Sequence, residues 1–159
     1  MAEGARPLSP GLPAPVRAVL LLAGALWTLP NTLIGAVAGA AGIALGARPA
    51  ISHGALVFFR FPWGPGGALT LGQVVLCTGD SLEVPCLTYA RRAGHDHAAQ
   101  DESVLLGLHE QAHVLQYLAL GPLFLPLYFA CGGIHERNRF ERAADRYAAT
   151  GRGWWPWAA

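Results

Sequence analysis

An uncharged run over residues 18–47 constrains the fold of this chain more than any other feature. It contains no Asp, Glu, Arg or Lys, and it exceeds the roughly 20 apolar residues with which a helix spans a bilayer. A cleaved signal peptide fits poorly, because its apolar region is only about 7 to 15 residues long. Proline disfavours helix in the residue before it, so Pro30-Asn31 interrupts the run. The run therefore predicts a membrane-associated helical segment over residues 16–47, either one kinked span or a hairpin.

The composition of the whole chain agrees with contact to lipid. Only 13% of the residues are charged and 53% are hydrophobic, whereas soluble domains carry roughly 25% charged residues. The net charge of +1 and the lack of a basic patch interleaved with aromatics give no reason to expect a nucleic-acid partner. Residues 1–15 are rich in proline and predict a flexible tail, because they cannot bury enough surface to order themselves.

The basic and sulfur-containing residues indicate a compartment. All eleven basic residues are arginine, which together with abundant Ala and Gly is typical of a GC-rich bacterial genome. Arginines flank both ends of the uncharged run, and the positive-inside rule then predicts a bacterial inner-membrane association with the domain facing the cytoplasm. The three cysteines form no C-x-x-C pair, in keeping with a reduced environment. The flanking arginines are Arg6, Arg17, Arg48 and Arg60.

Residues 48–159 predict a small α+β domain. Short β-like runs over residues 54–60, 67–73 and 74–78 are separated by turn residues, which favours an antiparallel unit of two or three strands. From Asp101 onward the apolar periodicity becomes helical, and Asp101, Glu102 and Ser103 are suited to cap the start of that helix.

A metal-binding pattern lies on this predicted helix. His109, Glu110 and His113 form H-E-x-x-H, and two histidines four residues apart stand on one helical face. Both imidazoles can then reach one Zn²⁺, while Glu110, about 100° round the helix, reaches a water rather than the metal. The pattern predicts a hydrolytic site that needs a third ligand.

A second helix supplies candidates for that ligand. Residues 138–149 have good helix propensity, and Glu141 and Asp145 are again i, i+4. One carboxylate can complete the tetrahedron, and the other can accept the free ring N–H of a ligating histidine. Residues 118–134 are uncharged and nearly long enough to cross a bilayer. A spanning helix would place Glu141 about 30 Å from His113, so a real metal site predicts that this segment folds back at Gly121-Pro122.

These two motifs resemble those of the gluzincin zinc metallopeptidases, which carry H-E-x-x-H on one helix and E-x-x-x-D on a later one. The phrase FERAADRYAA is most similar to the membrane-bound gluzincins related to CAAX-processing and heat-shock membrane proteases. The resemblance covers residues 104–150. It implies zincin-like helices, zinc ligands at His109, His113 and Glu141, a general base at Glu110 and a second carboxylate at Asp145 that orients a ligand.

The expected function is a membrane-associated zinc metallopeptidase in which Glu110 acts as general base on a zinc-activated water. Its partners would be a peptide or protein substrate and membrane lipid. His135 or Tyr147 are candidates to stabilise the oxyanion, although an ordinary packing role suits each of them as well. The alternative is a non-catalytic membrane protein in which the same residues form a structural zinc site or a polar core. His95 and His97 form an H-x-H pattern that is more typical of a solvated loop.

Overall fold

The computed structural model describes residues 13–89 and 103–157, and this part of the chain is α+β. The helices are α1 (Ala14–Trp27), α2 (Leu29–Ile43), α3 (Leu106–Leu120), α4 (Phe124–Ala130) and α5 (Arg139–Thr150), with a 3₁₀ turn at Gly121–Leu123. The strands are β1 (Arg48–Ser52), β2 (Ala55–Phe59), β3 (Ala68–Leu71), β4 (Val74–Cys77), β5 (Pro85–Leu87) and β6 (Ser103–Leu105). Most of the predicted tail, residues 1–15, lies outside the described residues. α1 begins at Ala14, within the last two residues of that predicted tail.

The main sheet has four strands in the order β1-β2-β4-β3, and it is mixed. β4 pairs in parallel with β2 and antiparallel with β3, so the prediction of a purely antiparallel unit was wrong. The chain leaves β2, forms β3 at the far edge, and returns through a tight turn at Gly72, where φ is +64°. β4 thus enters between its neighbours, and all four of its residues are buried. The β-like run over residues 74–78 predicted a strand here, but nothing in it specified which strands would lie beside it.

This sheet is the middle layer between α2 and α3. Val57 and Val75 pack on the α3 side, in one apolar cluster with Leu106 and Val114. Phe58 and Val74 point to the opposite face and pack with residues of α2. Successive side chains along these strands therefore point into two different apolar cores, as expected for a sheet covered on both faces.

The uncharged N-terminal run forms two helices that meet at an angle of 71°. The bend lies at Thr28, and Pro30 occupies the first turn of α2, where its missing N–H is tolerated. Polar groups at the bend are paired with the rest of the protein: Asn31 donates to the carbonyl of Gly121, and the Thr32 hydroxyl accepts from the backbone of Gln73. These contacts hold one side of the bent pair on the domain.

The glycines of α2 bring this helix onto the sheet. Their small size predicts close packing against another helix, but the neighbours are side chains of the sheet layer instead. A Cβ at Gly35 would lie 2.8 Å from Val74, and one at Gly39 would lie 2.3 Å from the ring of Phe58. The opposite face of the bent pair carries exposed large apolar residues, namely Val16, Val19, Leu20, Leu22, Leu26, Leu33, Ile34 and Val37.

The helix that carries His109 and His113 begins later than the sequence predicts. Ser103–Leu105 forms β6, paired with β5, and Asp101 and Glu102 lie outside the described residues. α3 starts at Leu106 without a side-chain cap. Its first N–H groups donate instead to the carbonyls of Val84 and Leu82. A short run of apolar residues is compatible with either a helix or a buried strand. Here pairing with β5 makes Ser103–Leu105 a strand.

Two helical stretches of the described residues meet the length and hydropathy criteria for a membrane span. Leu106–Ala130, 25 residues across α3 and α4, is long and apolar enough to cross a membrane, and the bent pair passes the same test when taken as one span. A buried core helix of a soluble protein meets these criteria too, and 44% of the apolar window of Leu106–Ala130 is buried in the protein. α3 ends at Leu120, where the predicted break at Gly121-Pro122 begins, and the chain then returns to α5.

We predict that Gly39→Val destabilises the protein by about 1–3 kcal/mol, because the added side chain would overpack the Phe58 ring. Ala40→Val is the matched control, because Ala40 is exposed on the same helix. This substitution costs less than about 1 kcal/mol in helix propensity. Denaturant unfolding midpoints of the two variants provide the comparison. Equal midpoints would contradict the close contact between α2 and the sheet.

Candidate metal centre

α3 and α5 bring two imidazoles and a carboxylate to one point. The Nε2 atoms of His109 and His113 lie 3.2 Å apart. The Glu141 Oε2 atom lies 3.1 Å from His109 Nε2 and 3.4 Å from His113 Nε2. All three side chains are buried, and they form a group that can hold a metal ion. The fold-back predicted for residues 118–134 therefore joins the two motifs.

The separations in this triad suit one small tetrahedral ion. Ligand atoms about 2.0–2.1 Å from a tetrahedral centre lie about 3.3 Å from one another, and the three measured separations fall between 3.1 and 3.4 Å. Among the described residues no further His, Cys, Asp or Glu joins this group. The triad therefore offers three candidate ligands, and a tetrahedral ion held there would have a fourth position for a molecule from outside the protein.

Each histidine is oriented through its other ring nitrogen. His109 Nδ1 lies 2.9 Å from Asp145 Oδ1, as the sequence predicts. The second oxygen of Asp145 accepts from the backbone N–H of Tyr89 at 2.7 Å. His113 Nδ1 lies 2.8 Å from Gln116 Oε1, and the amide group of Gln116 donates to the carbonyls of Phe140 and Trp154. Both Nε2 atoms are thereby directed at Glu141.

The electrostatics of the site favour a cation. Burial opposes a charge on His109, but hydrogen bonds to Asp145 and Glu141 outweigh burial and raise the pKa of His109 to about 10. Burial likewise opposes the Glu141 anion, but the His113 and His109 imidazoles keep the pKa of Glu141 below its usual range. Glu110 is the third buried carboxylate, and none of the three pairs with Arg among the described ion pairs. A divalent cation would balance this negative charge.

Glu110 is held from the sheet rather than from α5. The Thr70 hydroxyl, on edge strand β3, donates to Glu110 Oε2 at 2.6 Å, and both groups are buried. The other oxygen of Glu110 has no hydrogen-bond partner within the described residues. Glu110 is thus anchored through one oxygen and has the second available for a proton.

A cavity of about 340 Å³ opens beside the triad. Its polar floor includes His109, Glu110, His113, Glu141 and Thr70. Its walls are aromatic and aliphatic, with a glycine-rich loop over residues 64–67 on one side. Such a mainly apolar pocket with a few convergent polar groups is typical of a ligand site.

Two tyrosines are among the residues that line this cavity. Tyr128 donates to Glu141 Oε1. The Tyr117 hydroxyl is buried and has no hydrogen-bond partner in the described part of the chain. Burial raises the pKa of Tyr117 above its usual range, so this hydroxyl stays a protonated donor. An unpaired buried hydroxyl is costly to stability. The Tyr117 hydroxyl is therefore a candidate to donate a hydrogen bond to a molecule bound at the site.

The structure places the two predicted oxyanion candidates away from the cavity. His135 is about half exposed and lies 3.7 Å from Glu136. The Tyr147 hydroxyl donates to Gln111 at 3.2 Å. Neither residue lines the cavity, so the geometry gives no support to that role. His95 and His97 lie outside the described residues.

Sequence reasoning missed Gln116, Thr70, Tyr117 and Tyr128. Gln116 and Tyr117 follow His113 by three and four residues, so helical spacing places both on its face and could have identified them. Thr70 and Tyr128 are remote in sequence from the residues they contact, and no local pattern marks them.

We expect Gln116→Leu to weaken metal binding by roughly 10–100-fold, the usual scale for loss of a group that orients a ligand. Gln116→Glu keeps an acceptor for His113 Nδ1 and should lose less affinity. Competition with a chelating indicator measures both, alongside thermal unfolding to check the fold. A Leu variant that binds metal as tightly as wild type would remove Gln116 from the site.

No protein-family model matches the chain, and comparison with curated proteins and with solved structures likewise returned no significant match. What the protein does is therefore inferred from its own residues and their geometry.

Proposed function

We propose that this protein is a membrane-associated zinc metallopeptidase of the gluzincin type. The observation that carries the proposal is the convergence of Glu141 with His109 and His113, at separations of 3.1–3.4 Å. These residues lie on two helices and match the H-E-x-x-H and E-x-x-x-D motifs in order and in spacing.

Zinc is the metal that this donor set favours. Two imidazole nitrogens and one carboxylate oxygen form one of the usual protein ligand sets of catalytic zinc, with the fourth position left for water or substrate. The short ligand separations fit tetrahedral rather than larger octahedral coordination. When bound, zinc would polarise a substrate carbonyl and lower the pKa of a coordinated water.

Glu110 is suited to move protons in this site. Its Oε2 is fixed by Thr70, and its other oxygen is free to accept a proton from an attacking water. The same carboxyl group can then deliver that proton to the leaving amine, as a general base and then a general acid. If the metal site were only structural, the Glu110 carboxylate would have no proton to transfer.

Hydrogen-bond donors in the cavity suit the oxyanion of amide hydrolysis. Tyr117 offers an unpaired hydroxyl, and Tyr128 lies on the ligand Glu141. Both line the cavity, whereas His135 and Tyr147 do not. We therefore assign the stabilising role to Tyr117, whereas the Tyr128 hydroxyl holds Glu141.

The position of β3 supports a peptide as substrate. β3 is an edge strand of the sheet, and its Thr70 contacts Glu110. An edge strand presents unpaired backbone groups that an extended peptide can pair with. A peptide added there would run past the triad and place an amide bond near Glu110.

The bent helix pair supports membrane association. Its outer face is apolar and exposed, and residues 18–47 carry no charge. Exposed Arg17 and Arg48 flank it, which suits anionic headgroups of the cytoplasmic leaflet. Among the alternatives, a structural metal site would require a fourth protein ligand, and the described residues supply none.

We predict about one zinc ion per protein, dependent on all three ligands. His113→Ala or Glu141→Ala should abolish stoichiometric zinc, because two ligands cannot complete the site. His135→Ala is the control, since this exposed histidine lies outside the triad, and it should keep zinc as wild type. Elemental analysis of protein purified without chelator decides the matter, and metal-free wild type would overturn the proposal.

Glu110→Gln should keep zinc and lose activity. The amide has the size of the carboxylate but cannot take a proton, so hydrolysis should fall by roughly 10²-fold or more. Digestion of a peptide library followed by mass spectrometry measures turnover, and elemental analysis measures zinc. A Gln variant as active as wild type would show that Glu110 is not the base. Loss of zinc from this variant would favour a structural role for the site.

A further inference from the structure

Large apolar side chains surround the mouth of the cavity and remain exposed to solvent. These five residues, which we call the cavity rim, all line the cavity, yet they are 46–76% exposed. Apolar residues scattered singly are normal on a surface, but a contiguous group marks a site of interaction. The cavity rim consists of Trp63, Leu69, Leu87, Phe129 and Ile134.

The cavity rim adjoins the bent helix pair at one end through α1. The Trp27 ring packs on Gly121, where a Cβ would lie 2.3 Å from the indole nitrogen. Gly121 begins the 3₁₀ turn that ends at exposed Leu123 and leads into α4. Phe129 of the rim belongs to α4. An apolar surface therefore continues from the end of α1 to the mouth of the cavity.

A second junction lies at the end of α2. Gly42 packs on the ring of Phe61, where a Cβ would lie 3.0 Å away. Phe61 lines the cavity and contacts Trp63 edge to face, with 5.2 Å between ring centroids. The bent pair thus packs at two separate points on segments that lead to the cavity lining.

The charges near the rim suit the surface of an anionic membrane. Arg137 and Arg139 follow Ile134 closely and are both exposed. The one acidic residue of this segment, Glu136, lies 3.7 Å from the ring of His135. Arg17 and Arg48 are exposed at the two ends of the uncharged run. Basic residues that border an apolar surface are attracted to anionic lipid headgroups, which favours lipid over a second copy of the chain as the occupant.

We propose that the cavity rim is a second lipid-contacting surface, so that the candidate active site opens onto an anionic bilayer. The membrane would then be contacted by the bent pair and by the rim together. This inference rests on the proposed function, and it specifies the substrate class: a peptide segment that lies in the lipid interface and enters the cavity from there.

The test uses full-length protein with a polarity-sensitive fluorophore attached through an unnatural amino acid, which keeps the three native cysteines. Position 134 is the test site in the rim. Position 51 is its matched control, because Ile51 and Ile134 are 79% and 76% exposed and Ile51 lies on β1, at the sheet edge opposite β3. Position 37, an exposed valine of α2, is the positive control for the bent pair.

Each labelled protein is mixed with vesicles of phosphatidylcholine and phosphatidylglycerol that carry brominated acyl chains. We expect quenching at position 134 to approach that at position 37 and to exceed that at position 51 by at least about threefold, because interfacial burial reaches about 5–10 Å into the lipid. Unchanged zinc content in each labelled variant reports an intact fold.

Three outcomes would overturn the inference. Quenching at position 37 without quenching at position 134 would restrict lipid contact to the bent pair and leave the proposed function standing. Emission at position 134 that follows protein concentration rather than lipid would assign the rim to a second copy of the chain. A lack of quenching at all three positions would refute the membrane association in the proposed function itself.

Discussion

The contact between the carboxylates of α5 and the histidines of α3 is the interaction on which the candidate site depends. The Glu141 carboxylate contacts the rings of His109 and His113, and the Asp145 carboxylate fixes the ring of His109. Removing one partner of such a buried pair costs roughly 3–5 kcal/mol, because the other is left uncompensated. The same pairs therefore form the candidate metal site and help to hold the two helices together.

That contact requires the chain between the two helices to turn back, and the turn is built from specific residues. Gly121 ends α3 with a positive φ of 54°, and buried Asn138 donates to the carbonyls of Tyr128 and Gly133. The Asn138 side chain also caps α5 by accepting from the backbone of Phe140. The cap thus sets where α5 begins, and it places Glu141 in the first turn, facing α3.

The bent pair and the site are coupled through the sheet. α2 covers one face of the sheet while α3 covers the other, and Thr70 on β3 holds Glu110. The bend itself is bonded to the β3–β4 turn through Thr32 and Gln73. A helix pair that is apolar on its outer face and anchored by polar groups on its inner face suits a boundary between lipid and protein. The candidate site is in this way held in a fixed position relative to the bent pair.

Local pattern determined a large part of this protein. Helical spacing placed His109 and His113 on one face and identified Glu141 and Asp145 as a second pair, since each pair lies within about one turn. The helix-breaking residues Gly121 and Pro122 located the break after α3. Only the tertiary structure decided that β4 lies between β2 and β3, that residues 103–105 form a strand, and that Thr70 and Tyr128 belong to the site. Strand order and contacts across the cavity join residues remote in the sequence, so they follow from packing of the whole domain rather than from any local periodicity.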